Sequence, residues 1–321
     1  MNKTIGILQA NVGRRREVQL SLLNDDSIQD FELILITEPN IMDIDGKPVV
    51  HQYAQWAIIK PTLVRDDTVI HSFRSLIYIN KKAQFRQVSI PSSDITAGIL
   101  KTATQRILVA SVYVPRDPAV AHEHNVTELT YRLRLISSAW EEAKGKWGAD
   151  VQLLVAGDFN RHDQLWGGDS VASSFQHGEG TPILEWMGDL GMNSMLPRGT
   201  KTFKVGPNET TIDLALASDG LYPRLLKCQI HDVEHGSDHW AIVSTFIDHR
   251  DEIEEPQRLN FRKTDWEAVR RELKQQRDRI PTIDTIEELE VQTKAIIHRI
   301  HEIATRYTPE TRPYTRTPSK H

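Results

Sequence analysis

Gly157-Asp158-Phe159-Asn160-Arg161-His162 follows directly after Val151-Gln152-Leu153-Leu154-Val155-Ala156, an apolar run with the length and composition of a buried strand. A carboxylate and a carboxamide two positions apart point to the same side of the chain at the end of that strand. Ionised Asp158 is costly in such a place unless a cation lies nearby, because unpaired buried charge is expensive. The hexapeptide is therefore either a strand-end turn, in which Asp158 and Asn160 cap backbone groups, or part of a cation site.

The composition is that of an ordinary globular protein. Of the 321 residues, 39% are hydrophobic and 26% are charged, which excludes wholesale disorder. No apolar run approaches the roughly 20 residues that a membrane-spanning helix needs, so no membrane partner is expected. The single cysteine, Cys228, excludes an internal disulfide and fits a reducing compartment. The formal net charge of −5 is unlike that of a generic nucleic-acid binder, but an acidic excess is compatible with carboxylates that hold divalent cations.

Apolar runs of strand length alternate with helical patterns along most of the chain. The predicted strands are Thr4–Ala10, Leu33–Thr37, Trp56–Ile59, Ser75–Ile79, Ile107–Val114, Val151–Ala156, Ile212–Ala217 and Trp240–Phe246. Apolar spacing predicts helices at Arg14–Asn24 and Leu129–Trp140, and a third helix begins at Thr181-Pro182 and ends before Gly191. Because the order is not strictly βαβ, we expect an α/β fold of two packed sheets with helices outside.

The composition changes after His249, where the acidic segment Asp251–Pro256 predicts a linker. We therefore expect a domain at residues 1–250 and an appended helical segment at residues 251–321. Capping-box patterns at Thr264–Glu267 and Thr285–Glu288 predict the starts of two helices in that segment. The second helix carries a largely apolar stripe, through which it is expected to self-associate or pack loosely, formed by Leu289, Thr293, Ile296, Ile300 and Ile303.

Polar side chains stand where several of the predicted strands end or begin. They are Asn11, Glu38, Tyr113, Asp158 with Asn160, Asp213, and Asp238-His239. Taken singly, these residues have structural alternatives. Asn11 could cap a turn, and Glu38 could be a solvated strand end. Tyr113 could pack on a sheet, and Asp238-His239 could be a turn with a surface imidazole. Taken together, they predict that one edge of the two sheets is lined with oxygen ligands.

In order along the chain, short motifs resemble the signatures of the endonuclease/exonuclease/phosphatase superfamily, which has a DNase I-like fold. They are Gln9-Ala10-Asn11, Thr37-Glu38-Pro39, Ser111-Val112-Tyr113-Val114-Pro115, Gly157-Asp158-Phe159-Asn160, Thr211-Ile212-Asp213-Leu214 and Ser237-Asp238-His239. With Arg14 and Leu165-Trp166-Gly167, the hexapeptide is similar to the endonuclease domain of non-LTR (LINE-type) retrotransposons. The resemblance covers about residues 4–247 and implies a four-layered αββα sandwich of two mixed β-sheets flanked by helices, with a helical C-terminal extension.

The resemblance also implies an activity and a cofactor. It implies a metal-dependent endonuclease that nicks DNA and leaves a 3′-hydroxyl and a 5′-phosphate, ends that can prime reverse transcription. Asn11 and Glu38 would be ligands of Mg²⁺, with Mn²⁺ as an alternative ion. Asp238 would contribute to a second or alternate metal position.

Catalytic roles follow from the same resemblance. Asp213 would orient His239 and keep it cationic, so that the imidazole contacts a phosphate oxygen. Asp158, held by Asn160, would align and deprotonate the attacking water. Tyr113 would contact the phosphate or assist the leaving oxygen.

Contacts to double-stranded DNA are implied for residues around this site, namely Arg14, Arg161, Lys201, Phe203, Lys204 and Thr211. The segment Gly199–Thr210 has the composition of a hairpin, and the retroelement branch places a groove-reading loop there. The alternative is a hairpin with no such role. Relatives that repair abasic sites have a polar or acidic residue in place of Gly13 and a tryptophan in place of Thr210, so abasic-site specificity is not expected.

The segment Arg258–Trp266 resembles the stretch that joins the endonuclease of such elements to a reverse transcriptase in cis, a polymerase that is not part of this sequence. A nuclear location is expected from DNA as the substrate. Two alternatives remain open. The protein could be a phosphatase that acts on a small phosphate ester. It could also be a decayed or domesticated copy that binds DNA or a protein without catalysis. The intact set of strand-end residues argues against decay.

Overall fold

Two six-stranded sheets form the framework of the N-terminal part of the protein. The computed structural model describes residues 4–45, 47–62, 73–116, 119, 122–169, 171, 178–248, 258–259, 261–276 and 285–311. By its internal contacts the chain divides into two units, Met1–His249 and Arg250–His321. Within the described ranges, no helix is both long enough and apolar enough to span a membrane.

The strands are β1 (Thr4–Asn11), β2 (Leu33–Thr37), β3 (Ile41–Ile44), β4 (Lys47–Val50), β5 (Trp56–Ile59), β6 (Ser75–Asn80), β7 (Gln84–Val88), β8 (Ile95–Lys101), β9 (Arg106–Tyr113), β10 (Gln152–Asp158), β11 (Met192–Ser194), β12 (Phe203–Val205), β13 (Asn208–Thr210), β14 (Asp213–Ser218), β15 (Leu225–Ile230), β16 (Ile242–Ile247), β17 (Arg258–Leu259) and β18 (Glu310–Thr311). The α-helices are α1 (Arg16–Leu23), α2 (His122–Trp147), α3 (Gln164–Gly167), α4 (Thr181–Leu190), α5 (Trp266–Gln276) and α6 (Ile286–Arg306).

Both large sheets contain parallel and antiparallel pairs. The first has the strand order β15-β16-β1-β2-β6-β5, and the second has the order β11-β14-β10-β9-β8-β7. The parallel pairs are β1 with β2 in the first sheet and β9 with β10 in the second, while the other neighbours are antiparallel. Each sheet is therefore mixed. The remaining described strands form the ribbons β3-β4, β12-β13 and β17-β18.

Alternate residues of the strands pack into separate layers of the core. In β2, Leu33 and Leu35 lie in the layer between the sheets, together with Leu154 of β10. Ile34 lies on the opposite face of β2 and packs with Leu22 of α1. On the outer face of the second sheet, the apolar sides of α2 and α4 form a third layer. The predicted fold class, a sandwich of two mixed sheets between helices, is confirmed.

The strand registers bring the polar strand ends to one edge of the sandwich. In the first sheet Asn11 pairs with Thr37, so that Glu38 is the next residue beyond the pair. In the second sheet Asp158 pairs with Tyr113 on one side and with Asp213 on the other. A slip of one residue in any of these pairs would turn the side chains to the opposite face of the sheet. The registers are therefore what assembles the site.

Gly157 precedes Asp158 and lies against the backbone of β9. A Cβ atom at this position would lie 1.8 Å from the carbonyl oxygen of Val112, which is a backbone group and cannot turn aside. Val112 is the residue with which Gly157 pairs in the parallel register. The glycine is therefore required for β10 to approach β9 and for Asp158 to reach the edge of the sheet.

The Gly157→Ala variant is expected to lose about 3 kcal/mol or more of unfolding free energy, because overpacking against a backbone atom forces the two strands apart. Urea denaturation followed by circular dichroism measures this loss. Gly145→Ala in α2 is the control, because nothing lies within 4 Å of its added Cβ. That variant is expected to gain up to about 1 kcal/mol from helix propensity. Similar stabilities for the two variants would contradict the described approach of β10 to β9.

The sequence does not predict four strands of the large sheets, β7, β8, β11 and β15. Polar and apolar residues are mixed in the edge strand β7, so it carries no apolar run. In β8, Gly98 weakens the strand pattern, yet its missing side chain leaves room for Phe85, whose ring would lie 2.2 Å from a Cβ there. The strands that the sequence does predict begin and end within about two residues of the observed bounds.

In the C-terminal unit, the first predicted capping box is wrong and the second is confirmed. The side chain of Asp265 accepts a hydrogen bond from the backbone nitrogen of Ala268 (3.0 Å), so Asp265 caps α5. The hydroxyl of Thr264 is instead hydrogen-bonded to that of Thr308 (2.7 Å). Thr285 and Glu288 form a complete capping box at the start of α6. Of the predicted stripe on α6, Ile303 is buried, and the other members, Leu289, Thr293, Ile296 and Ile300, are exposed.

Candidate active site

Asp158 lies at the end of β10 with its carboxylate buried and fully hydrogen-bonded. Its Oδ1 atom accepts from the backbone nitrogen of Asn160 (2.9 Å), and its Oδ2 atom accepts from the amide of Asn160 (3.0 Å). The amide of Asn11, from the other sheet, also donates to Oδ2 (2.9 Å). Asn160 has a positive φ of 49°, a conformation that asparagine tolerates better than most residues. The carboxylate is therefore fixed by both sheets.

His239 and Asp213 form a second buried unit beside Asp158. Nδ1 of His239 lies 2.7 Å from Oδ2 of Asp213, and the amide of Gln9 donates to the other oxygen of Asp213 (3.1 Å). Since Nδ1 is bonded to the carboxylate, Nε2 is the nitrogen that remains to face a substrate. The ring of Phe203 lies against the imidazole, with 4.6 Å between ring centroids.

Two hydroxyl groups hold the backbone of this unit. Ser237 donates to the carbonyl oxygen of Asn11 (2.8 Å) and accepts from the backbone nitrogen of His239 (3.1 Å). The hydroxyl oxygen of Thr202 accepts from the backbone nitrogens of Ile212 (3.1 Å) and Asp213 (3.0 Å). Sequence reasoning assigned no role to Thr202 or Gln9, because neither stands at a predicted strand end.

Asp158, Asp213 and His239 come together in one group. One possible ligand atom from each lies within 4.8 Å of the others, a separation that a single metal ion can bridge. The amide of Asn11 that reaches Asp158 also lies 3.5 Å from Oε2 of Glu38, which extends the group to β2. Residues from both sheets, far apart in sequence, thus converge on one edge of the sandwich.

Burial and charge shift the pKa values of this group strongly. Burial and then the neighbouring Asp213 carboxylate raise the pKa of Asp158 to about 8, against the effect of His239. Burial lowers the pKa of His239, but the carboxylate of Asp213 reverses that effect and raises the pKa to about 9. Two buried carboxylates therefore share one imidazolium. The oxygen-rich donor set and the repulsion felt by Asp158 fit a divalent cation, which would supply the missing positive charge.

The remaining predicted metal ligands lie at the rim of the group. Glu38 has a positive φ of 47° and its carboxylate pairs with Arg14 (3.2 Å). Positive φ costs free energy for a residue such as glutamate, and such strain concentrates at functional sites. The carboxylate of Asp238 is paired with Arg15 (2.9 Å) and its side chain is 46% exposed. The contribution of Asp238 to a metal position remains a prediction.

Tyr113 lies at the end of β9 beside an ion-pair network that the sequence did not reveal. The guanidinium of Arg74 lies 4.8 Å from the centre of the Tyr113 ring. Arg74 donates two hydrogen bonds to Asp94 (2.7 and 2.8 Å), and Asp94 also pairs with Arg132 (2.7 Å). Burial, together with Glu38 and Asp158, raises the pKa of Tyr113 above its usual range, so the phenol is protonated at neutral pH.

Two of the side chains that were predicted to contact DNA are buried. Arg161 is completely buried, and its guanidinium donates to the carbonyl oxygens of Asn160 (3.0 Å) and Asn125 (3.0 Å). It ties the loop after β10 to α2, and burial lowers its pKa to about 10. Thr211 is 2% exposed and its hydroxyl donates to the carbonyl oxygen of Thr200 (2.6 Å). Both side chains support the site from inside the protein.

The other predicted DNA contacts lie outside the buried group. A cleft of about 770 Å³ adjoins it, and its lining includes Lys201, Phe203, Asn160, His162 and Arg116. The predicted hairpin is present as the β12-β13 ribbon, in which Lys204 is paired with Glu209 (2.9 Å). Burial lowers the pKa of His162 to about 4, so its imidazole is neutral at the cleft. The side chain of Arg14 is 43% exposed at the rim beside Glu38.

Comparison with known proteins agrees with the predicted fold. Residues 107–243 match a protein family described as endonuclease-reverse transcriptase. The match covers less than half of the chain, and together with the shared fold it agrees with the predicted resemblance to the DNase I-like endonuclease/exonuclease/phosphatase superfamily. A search among curated proteins gave no match.

Several solved structures share the fold at low sequence identity. The endonuclease domain of TRAS1, a telomere-specific non-LTR retrotransposon, matches with a TM-score of 0.55 and 18% identity, over 77% of this chain and 100% of the other. The AP endonuclease LMAP from Leishmania major gives 0.58 and 12%, over 76% and 88% of the two chains. The APE2 catalytic domain from Xenopus laevis gives 0.54 and 14%, over 76% and 92%.

Proposed function

We propose that this protein is a Mg²⁺-dependent endonuclease that nicks double-stranded DNA and leaves a 3′-hydroxyl and a 5′-phosphate. The observation that carries the proposal is the convergence of Asp158, Asp213 and His239 within 4.8 Å of one another, with Asn11 linking them to Glu38. Proton acceptor, proton donor and oxygen ligands thus lie within reach of one phosphate. The matches to an endonuclease-reverse transcriptase family and to the TRAS1 endonuclease domain favour DNA as the substrate.

The proposed reaction is hydrolysis of one phosphodiester bond. Asp158, oriented by Asn11 and Asn160, accepts a proton from the water that attacks phosphorus. His239, held protonated by Asp213, donates a hydrogen bond from Nε2 to a phosphate oxygen on which negative charge develops. The bond between phosphorus and the 3′ oxygen breaks, and that oxygen takes up a proton to become the 3′-hydroxyl. Tyr113, protonated at neutral pH, lies at the same strand end and assists at the phosphate or the leaving oxygen.

The metal ion is proposed to bind at the oxygen ligands Glu38 and Asn11, with Asp238 at a second or alternate position. Mg²⁺ suits carboxylate and amide oxygens, and Mn²⁺ is expected to replace it. When bound, the ion stabilises the negative charge that develops on the phosphate. Its charge would also lower the pKa of Asp158, which burial and Asp213 otherwise hold near 8. The carboxylate would then be ionised at neutral pH and ready to accept a proton.

The proposed DNA surface is the cleft beside His239, with Lys201, Phe203 and Lys204 on its hairpin side and Arg14 at the rim. Cationic side chains contact phosphates, and an aromatic ring or the hairpin tip contacts a groove edge. We further propose that the domain acts with a reverse transcriptase in cis, which extends the 3′-hydroxyl that it produces, and that it works in the nucleus.

The test is nicking of supercoiled plasmid by the purified chain with Mg²⁺ or with EDTA. The expected result is conversion to open circles only with Mg²⁺, and the nicks are expected to be extended by a DNA polymerase without prior phosphatase treatment. Hydrolysis of a small phosphate ester with no plasmid nicking would favour a phosphatase instead. Plasmid binding without nicking, in Mg²⁺ and in Mn²⁺, would favour a non-catalytic copy.

Exchange of the tip of the β12-β13 ribbon is expected to change the positions of the cuts in DNA more than the rate of cutting. The exchange should be confined to residues 205–208, because Thr202 and Phe203 support Asp213 and His239 directly. Mapping of nicks on an end-labelled duplex should show new positions, while the total rate changes by less than about tenfold. Substitution of Asp45 and Lys47, at the end of the β3-β4 ribbon, is the control and should leave the map as it is. An unaltered map after the β12-β13 exchange would make that ribbon purely structural.

A further inference from the structure

A second cluster of ligand-type side chains lies outside the active site. Asp25 follows α1, and His231 and His235 lie in the segment that connects β15 to Ser237-Asp238-His239. Oδ2 of Asp25 lies 2.7 Å from Nε2 of His231 and 3.4 Å from Nε2 of His235. The two imidazole rings are nearly parallel, with 5.6 Å between their centroids. The ligand atoms of all three residues lie within 4.8 Å of one another.

The outer hydrogen bonds of the cluster direct its free atoms inward. Oδ1 of Asp25 accepts from the backbone nitrogen of Ser27 (2.8 Å), which leaves Oδ2 to face both imidazoles. Nδ1 of His235 is bonded to the hydroxyl of Ser21 (3.0 Å), so its Nε2 points toward Asp25. Side-chain exposure is 8% for Asp25, 8% for His231 and 5% for His235. Yet Nε2 of His235 has no hydrogen-bond partner among the residues that the structure describes, and an unpaired buried polar atom costs free energy.

We propose that Asp25, His231 and His235 form a transition-metal site of the Zn²⁺ class, separate from the catalytic Mg²⁺ site. Zn²⁺ binds imidazole nitrogen and carboxylate oxygen at about 2.0–2.2 Å, which places tetrahedral ligand atoms about 3.3 Å apart. The separation of 3.4 Å between Asp25 and His235 meets this distance, and that of 2.7 Å between Asp25 and His231 requires only a small displacement. Two nitrogen ligands out of three select against Mg²⁺, which prefers oxygen.

The protonation states suit metal binding. Burial lowers the pKa of His235, so at neutral pH its ring is neutral and one of its two nitrogens carries a lone pair. Burial raises the pKa of Asp25, but the hydrogen bonds from His231 and Ser27 together outweigh that effect and lower the pKa, so the carboxylate is ionised. The hydroxyl of Ser21 on Nδ1 matches the outer partner that metal-bound histidines generally have.

The position of the site gives the ion a structural role. His235 lies two residues before Ser237, whose hydroxyl bonds to Asn11, and four residues before His239. A cavity of about 20 Å³ lies under this segment, lined by Val18 and Leu22 of α1 as well as by His235 and His239. An ion bound to Asp25 would therefore fasten the segment that carries His239 to the end of α1. This role does not depend on the reaction proposed for the active site.

The test is titration of the full chain, freed of metal with a chelator, with Co²⁺ as a spectroscopic probe and Zn²⁺ as competitor. We expect one equivalent of Co²⁺ to give visible absorption bands and to be displaced by Zn²⁺ but not by Mg²⁺. His235→Ala and His231→Ala are expected to weaken binding by at least about 100-fold, and Ser21→Ala by about 10-fold. Asp25→Asn keeps the hydrogen bond from Ser27 and removes the negative charge of the ligand. Weaker Co²⁺ binding in this variant would therefore reflect loss of the ligand and not loss of the fold.

Two controls keep the result specific. Asp158→Asn should leave the Co²⁺ bands unchanged, because it alters only the active site. His298→Ala, on the exposed side of α6, should do the same, because that side chain is 75% exposed and remote in sequence. Bands that persist in His231→Ala and His235→Ala, or that disappear in Asp158→Asn, would overturn the proposal. Absence of bands in the unmodified chain at millimolar Co²⁺ would also overturn it, whether or not the plasmid is nicked.

Discussion

Replacement of Asp158 by asparagine is expected to reduce the rate of DNA nicking by about 10³-fold, the largest effect of any single substitution in this protein. A general base contributes on the order of 10²–10⁴ in rate, and the amide cannot accept the proton of the attacking water. With the remaining oxygen at the Oδ2 position, the side-chain amides of Asn11 and Asn160 would still donate to it and hold the side chain in place. The measurement is single-turnover cleavage of a labelled duplex in Mg²⁺.

Stability of the same variant separates a catalytic role from a structural one. Because the folded-state pKa of Asp158 is raised to about 8, the metal-free folded state holds a proton that the unfolded state releases, and the resulting cost to stability grows as the pH rises from the unfolded pKa toward 8. Neutral asparagine removes that cost but loses a hydrogen bond on one side. We therefore expect the metal-free melting temperature to change by no more than a few degrees. A variant that is inactive because it is unfolded would not support the assignment, and a folded variant with full activity would refute it.

Replacement of Asp213 by asparagine is expected to reduce nicking at pH 7.5 by about 10²–10³-fold and to shift its pH dependence. Asp213 positions His239 and holds its pKa at about 9, so the imidazole stays protonated up to that pH. Without the carboxylate of Asp213, burial is opposed only by Asp158 and Asp238, so the pKa of His239 is expected to fall. On the alkaline side, the variant should therefore lose activity at a lower pH than the unmodified enzyme, which keeps its imidazolium until the pH approaches 9, and it should gain activity as the pH falls below 7.5.

His239→Ala is the matched control for that prediction. It should be at least as inactive as Asp213→Asn at pH 7.5, and it should not recover at low pH, because no imidazole remains to be protonated. The pH–rate profile thus distinguishes a loss of charge on His239 from a general loosening of the site. An alkaline limb at the same pH in Asp213→Asn and in the unmodified enzyme would mean that Asp213 does not tune His239.

The centre of the site could be predicted from the sequence because its residues interrupt an otherwise apolar pattern. Asp158 ends a buried strand, and Asn11 and Glu38 end two others, so their polarity has no explanation in core packing. The sequence alone does not show which strands pair with each other. The registers that place Asp158 between Tyr113 and Asp213 depend on contacts between distant segments, and only the fold supplies them.

The residues that are hardest to predict from the sequence are those that support the site without lining it. Arg161 stands beside the catalytic motif, where an arginine usually contacts solvent or phosphate, yet it is buried and donates to the carbonyl oxygens of Pro115 and Asn125 in other segments. Arg74 and Asp94 carry no local signal, because their pairing forms only when β6 and β8 enter different sheets. Thr264 illustrates the same limit, since Thr308 takes its hydroxyl and leaves Asp265 as the cap.

The most direct test is anomalous diffraction from crystals of the protein soaked in Mn²⁺. We expect a Mn²⁺ peak at coordination distance, about 2.2 Å, from the carboxylate of Glu38 and within the group formed by Asn11, Asp158, Asp213 and His239. A Mn²⁺ peak elsewhere on the protein, with that group empty at saturating Mn²⁺, would contradict the proposal that these strand ends meet around one catalytic cation.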